Sequence, residues 1–190
     1  MELIRKINAI YKRRSIRSFT NDKIDRKLLY EIIRAGTFAP SSGNMQPWEF
    51  VIIEDVVQRK NIAKNTFSGY YSSNAPFQRW LTTAPIIIVI CANKKRTASR
   101  YAELSDIWVY IDVANAVQNM ILTATENHLG TCWIGGIKKD QVAKSLHLPS
   151  YVEPIGLLPI GNAAESVMSK NKMKPEWVTH KAKYNKPYFK

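Results

Sequence analysis

Apolar positions along the chain fall into two kinds, residues returning at helical spacing and short unbroken β-branched runs, which sets the expected layout. Leu3, Ile4, Ile7, Ile10 and Tyr11 predict an amphipathic helix over residues 2–12. The polar RRSIRSFTND that follows reads as a loop. Asp25 is placed to cap a second helix bearing Leu28, Leu29, Ile32 and Ile33 and ending at Gly36. Pro40, Ser41, Ser42, Gly43 and Asn44 forbid regular structure, and residues 50–53 form a short run expected as a buried strand. Residues 55–64 read as another helix, and IIIVICA, residues 86–92, as a central strand.

The longest helical signal covers residues 106–129, with Ser105 or Asp106 as its N-cap and Gly130 just past its end. Its apolar residues, from Ile107 to Ala124, occupy most of the circumference. A helix apolar nearly all round is buried on more than one side, and in a domain this small the second side is expected to be another subunit. TCWIGGI predicts a short strand running into glycines, residues 139–146 a modest helix, and residues 155–160 a strand interrupted by Pro159. From about residue 162 the chain is basic and irregular. Residues 65–83 are polar and aromatic, a composition suited to a lid or a substrate-facing insert. The alternation argues one mixed α and β domain over residues 1–190.

Composition adds few constraints: 45% hydrophobic and 23% charged residues suit an ordinary soluble domain. The longest apolar run, residues 84–92, is far short of the roughly 20 residues a membrane span needs. Charges interrupt the first apolar residues before a signal-peptide core can form, so a cytoplasmic protein is expected, with no membrane partner. Charge changes the picture more. Lysine and arginine number 28 against 15 acidic residues, a formal +13, which favours anionic ligands. The basic residues are spread along the chain. The densest group, Lys94, Lys95, Arg96 and Arg100, reads as a solvated loop, and nucleic acid is not an expected partner.

Cys91 and Cys132 fit no CxxC or zinc spacing and are expected to be buried small hydrophobes. His128, His147 and His180 lack metal-ligand spacing, and HExxH, GxSxG and GxxxxGK[ST] are absent. His128 is expected to interact with the end of the long helix. No metal and no catalytic side chain is assigned, so any chemistry is expected to come from an organic cofactor.

Three segments could hold one. Arg13, Arg14, Ser15 and Arg17 offer guanidinium forks and a hydroxyl suited to a phosphate. Pro40, Ser41, Ser42, Asn44 and Gln46 place hydroxyls and carboxamides on a stiff loop that could read a heterocycle edge. Gly135 and Gly136, after Trp133 and Ile134, let backbone approach a flat ligand, though not in the GxGxxG spacing of a dinucleotide fold. Taken singly, each has a plainer reading: solvated arginines, a helix-to-strand turn, and a strand ending in glycines.

The order of these segments carries more information. RRSIRSF, APSSGNMQPWEFVII, DVANAVQNMILTATENHLGTCWIGGI and GLLPIGNAAES together resemble the FMN-dependent nitroreductase family, over residues 10–178. The resemblance implies an α+β nitroreductase-like fold, a central, mostly antiparallel sheet flanked by helices, in an intertwined homodimer with FMN at the subunit interface. It implies that Arg13, Arg14, Ser15 and Arg17 hold the FMN phosphate and pyrimidine edge. Pro40, Ser41, Ser42 and Asn44 would reach the flavin from the partner subunit, with Gln46 supporting their loop. Trp133, Ile134, Gly135 and Gly136 would line the isoalloxazine, one backbone amide bonding near N5. Lys172 and Lys174, before Pro175, would add phosphate contacts. The implied activity is ping-pong transfer of hydride from NAD(P)H through the flavin to a small-molecule acceptor such as a nitroaromatic or quinone. Dehalogenation, enone or azo reduction, and flavin binding with little turnover are compatible with the same motifs.

Overall fold

The computed structural model describes residues 6–68 and 75–189. Seven helices and four strands run in the order α1 (Asn8–Lys12), α2 (Arg26–Thr37), β1 (Trp48–Ile53), α3 (Val56–Lys64), β2 (Ile86–Asn93), α4 (Lys94–Tyr101), α5 (Ser105–Glu126), β3 (Gly130–Thr131), α6 (Lys139–Ser145), β4 (Val152–Gly161) and α7 (Pro175–Val178) among the described residues. The strands form one antiparallel sheet in the order β1-β2-β4-β3. This is the expected α+β architecture.

β2 is buried along its whole length, and its alternation feeds two cores. Ile86, Ile88, Ile90 and Ala92 pack with Leu158 and Ile160 against α2 and α5. Ile87, Val89 and Cys91 pack with Ile62, Leu81, Leu157 and Val142 on the other face. Helices cover both sides, which explains why β2 reads as an unbroken apolar run. α2 crosses α5 at Gly36, where an added Cβ would lie 2.8 Å from Met120 Cγ. Asp25 caps α2 as expected, accepting from the N–H groups of Lys27 and Leu28 at 2.6 and 3.2 Å.

Several boundaries differ from expectation. The part of the first helix over residues 2–5 lies outside the described residues. α2 runs past Gly36 to Thr37, and the first strand begins at Trp48, before residue 50. Neither Ser105 nor Asp106 caps α5: a 3₁₀ turn over Ala102–Leu104 leads straight in, and Leu104 in the cap position makes no side-chain bond. α5 stops at Glu126 and Gly130 belongs to β3. The left-handed residue that closes it is His128, at φ 61°, where the expectation placed a glycine further on. His128 N–H donates to Thr125 O and Leu129 N–H to Ala124 O, the double bond pattern of a left-handed helix end. β3 is only two residues, and the remainder of TCWIGGI meets β4 through a single bridge, Ile134 to Leu157. The basic group at residues 94–100 is not a loop. Asn93 caps it as α4, accepting from Arg96 N–H at 3.3 Å.

Candidate active site

Arg13 terminates α1, its N–H donating to Ala9 O at 2.9 Å. The chain then turns along β3: Ser15 bridges Thr131, and Ile16 N–H donates to Thr131 O at 2.9 Å. On its other side the segment meets the residues after β4. Thr20 N–H donates to Asn162 O at 3.0 Å and Ala164 N–H to Ser18 O at 2.9 Å. The Glu165 carboxylate accepts from the N–H groups of Arg17 and Ser18. Held from both sides, Arg13, Arg14, Ser15 and Arg17 face Val167, Met168, Ser169, Lys170 and Lys172 across a cavity of ≈ 110 Å³. Among the described residues five cations and two hydroxyls line it, and no carboxylate does.

Arg13 and Ser15 also wall a larger groove of ≈ 640 Å³, completed by Ala114, Val117, Gln118, Ile121, Thr131, Cys132 and Trp133. A small cationic chamber therefore adjoins a wider one of mixed lining, in which Ala114, Val117, Ile121, Cys132 and Trp133 supply the apolar part. Burial pushes the Cys132 thiol up, against the pull of Arg17, a hydrogen bond with Ser15, and Arg13. The thiol stays protonated and is no ready nucleophile.

Beside Trp133 the backbone amides divide in use. Ile134 is committed to the sheet, donating to Leu157 O at 3.0 Å and accepting from Leu157 N at 2.8 Å. Gly135 O accepts from Ile137 N and Gly136 O from Phe67 N, but the N–H groups of Gly135 and Gly136 have no acceptor among the described residues. Both glycines are exposed, and a Cβ on either would meet nothing closer than 3.8 Å. The segment over residues 65–83 starts on this loop: Thr66 bridges Ile137, and Phe67 is 54% exposed beside Gly136. The middle of that segment, residues 69–74, lies outside the described residues.

The loop from Pro40 to Gln46 forms a short 3₁₀ turn at Ser42–Asn44. Gly43, Asn44 and Gln46 all have positive φ, at 54°, 58° and 48°. Ser41 Oγ accepts from Gln46 N–H at 3.0 Å, and the Gln46 amide donates to Asn44 Oδ1 at 3.3 Å. Arg96 donates to Gln46 O at 2.7 Å, and Ser42 is held by Asp112 of α5. Ser42 opens on a shallow cleft of ≈ 310 Å³ with Tyr101, Trp108 and Ile111, the two rings meeting edge to face at 5.1 Å. Neither the cationic cavity nor the Trp133 groove includes any residue of this loop.

The chain thus gathers Arg13, Arg14, Ser15, Arg17 and Lys172 around one chamber, sets Trp133 in the next, and leaves Ile134, Gly135, Gly136, Pro40, Ser41, Ser42, Asn44 and Gln46 outside both. Lys174 lines neither; it precedes α7 with its ammonium 5.9 Å from the Trp177 ring. Lys170 stands in the cavity wall instead, unnoticed in the sequence because the segment is uniformly rich in lysine. Asp112 and Glu165 were missed as well. Asp112 had a signal: it is the single acid within the apolar IWVYIDVANAV. Among the described residues no group of three or more His, Cys, Asp or Glu is placed to hold a metal ion, and no helix is long and apolar enough to cross a membrane.

Residues 10–162 match the model of the Nitroreductase family. A Bacillus subtilis protein named FMN reductase (NAD(P)H) is 27% identical over 194 residues, covering 94% of this chain and 74% of its own. A second B. subtilis protein, FMN reductase (NADPH), is 26% identical over 186 residues, covering 94% and 74%. Among solved structures, an FMN-dependent nitroreductase from Clostridium difficile superposes with a TM-score of 0.79 at 25% identity, covering 94% of this chain and all of that one.

Proposed function

The chain belongs to the nitroreductase family, and from that membership we propose that it is an NAD(P)H-dependent FMN oxidoreductase, working as a homodimer on a nitroaromatic or quinone acceptor. The observation that carries the reading is the five-cation chamber opening, through Arg13 and Ser15, beside a wider groove with Trp133, Val117 and Ile121 in its wall. A phosphate requires the first, a flat heterocycle the second, and the shared wall lets one molecule occupy both. Bound there, FMN supplies the two-electron chemistry between reduced nicotinamide and acceptor.

The chain's own residues bind, orient and polarise. Arg13, Arg14, Arg17, Lys170 and Lys172 neutralise the phosphate, and Ser15 offers it a hydroxyl. Trp133 and the α5 residues Val117 and Ile121 exclude water from one side of the groove. The amides of Gly135 and Gly136, without an acceptor among the described residues, follow Trp133 by two and three positions as donors for the ligand, and Arg13, which lines the groove, favours an electron-rich ring by charge. No side-chain acid or base is assigned.

Two features support a homodimer. α5 exposes Ile107 (69%), Ile111 (53%) and Ala114 at helical spacing, an apolar stripe that leads through Ala114 into the groove. The tail after Gly161 leaves Met168, Trp177, Tyr184 and Tyr188 at least 60% exposed, apolar area with nothing to cover it in one subunit. A partner across α5 would also bring a loop from Pro40 to Gln46 to a groove that lacks its own.

Reconstitution with FMN followed by turnover with NADH and NADPH against nitroaromatics, quinones and free FMN tests the proposal. Ping-pong kinetics with at least one of the first two acceptors is expected. A protein that binds FMN but turns over none of them would overturn the assigned activity.

A further inference from the structure

Asp112 sits in the middle of α5, 4% exposed, with apolar Val109, Val113 and Ala116 around it on the helix. A carboxylate buried among such neighbours is costly unless its oxygens are satisfied. Both are, by one residue: Ser42 N–H donates to Oδ2 at 3.0 Å and Ser42 Oγ donates to Oδ1 at 3.2 Å. Nothing in the packing of α5 calls for an acid at this position; the loop it grips does.

That loop needs gripping. Asn44 and Gln46 hold positive φ without being glycine, a conformation that persists only where surrounding contacts over-determine it. Most of those contacts are peripheral: the Ser41 to Gln46 and Gln46 to Asn44 bonds lie within the loop and are exposed, as are the bonds from Arg96 and Arg100. Among the described residues, Asp112 alone bonds to the loop from a buried position on the helix that also walls the groove through Ala114, Val117 and Gln118. We propose that Asp112 is a positioning residue: it fixes the Pro40 to Gln46 loop to α5, so that Asn44 and its neighbours are presented to the flavin of the partner subunit. The proposal rests on the functional reading above, which assigns that loop to the partner's FMN.

The test compares the wild-type holoenzyme with Asp112→Ala, Asp112→Asn, Ser42→Ala and the Asp112→Ala/Ser42→Ala double variant. FMN affinity, thermal stability, and kcat and KM at saturating FMN are measured. Asp112→Ala is expected to weaken FMN binding at least tenfold while the protein remains folded and dimeric. Asp112→Asn keeps an acceptor for Ser42 N–H and should recover most of the affinity. Ser42→Ala should weaken binding in the wild type yet add nothing in the Asp112→Ala background. If Asp112→Ala fails to fold, Ser42→Ala, which removes only the Oγ to Oδ1 bond, still reads the contact through weakened FMN binding. FMN affinity unchanged in folded Asp112→Ala or Ser42→Ala, or strictly additive effects in the double variant, would overturn the positioning role alone. A wild-type protein that takes up no FMN would overturn the functional reading beneath it.

Discussion

The indole of Trp133 lies across Gly156 of β4, so close that a Cβ there would fall 2.6 Å from Trp133 Cη2 and 2.8 Å from Ile134 O. This contact sets how far the indole can sink toward the sheet, and therefore the shape of the groove wall. Gly156→Ala should push the ring outward and cost about 1–3 kcal/mol of stability, the usual penalty of overpacking. Trp fluorescence, thermal unfolding and FMN titration read the three effects together. A variant with unaltered emission and FMN affinity would show that the ring position does not shape the site.

Arg13→Ala and Arg17→Ala should each weaken FMN binding by about 1.5–3 kcal/mol, the range for hydrogen bonds to charged groups, or roughly tenfold to a hundredfold. Raising salt should weaken the wild type more than either variant, because exposed charges are screened. Lys174→Ala should change little, since Lys174 stands outside the cavity that Lys170 and Lys172 line. Equal losses at Lys170, Lys172 and Lys174 would contradict that arrangement.

The stripe on α5 predicts that Ile107→Asp combined with Ile111→Asp yields a monomer by analytical ultracentrifugation. FMN affinity should fall with it, because the proposed dimer supplies the Pro40 to Gln46 loop from the partner. A monomer that keeps full FMN affinity would place the whole site within one chain.

Glu153 opens β4 at the junction of three helices, paired with Lys94 and Lys139 and accepting from Tyr110 Oη at 2.9 Å. Burial alone would raise its pKa, but the hydrogen bonds from Lys139, Lys94 and Tyr110 pull it down from 4.5 to about 2. A depressed carboxylate stabilises the fold above its unfolded pKa, and that contribution is lost as pH falls through the folded value. Wild type should therefore exceed Glu153→Gln in Tm at pH 7, with the gap closing between pH 4.5 and about 2. A gap independent of pH would mean the group acts by packing and not by charge.

Legibility followed the range of the interactions involved. β2 and the cap at Asp25 were plain in the sequence, because an unbroken β-branched run and a short acid before an amphipathic stretch act locally, whereas Asp55, read as the first residue of a helix, is its N-cap. The ends of α5 were not. Closure by His128 in a left-handed conformation defeats the expectation of glycine, and Leu104 enters the helix through a 3₁₀ turn with no polar cap. α4 was hidden by its charge, four basic residues that read as loop until Lys94 is seen on Glu153 and Arg96 on Glu49. Within the site, the arginine segment and Trp133 stood out by residue type. What holds them and the Ser42 loop did not: Glu165 on Arg17, Gly156 under Trp133 and Asp112 on Ser42 act across 23 to 148 positions of chain, and a sequence shows no such pairing.

The central claim is that a flavin occupies the chamber walled by Arg13, Arg17, Lys170 and Lys172 and its adjoining groove, and cycles there. Its most direct test is the visible absorption spectrum of the purified, FMN-supplemented protein, recorded anaerobically before and after NADH or NADPH. The account predicts a flavin spectrum that bleaches with at least one nucleotide and returns when a nitroaromatic or quinone is added. A colourless protein that takes up no FMN, or a bound flavin that neither nucleotide reduces, would contradict it.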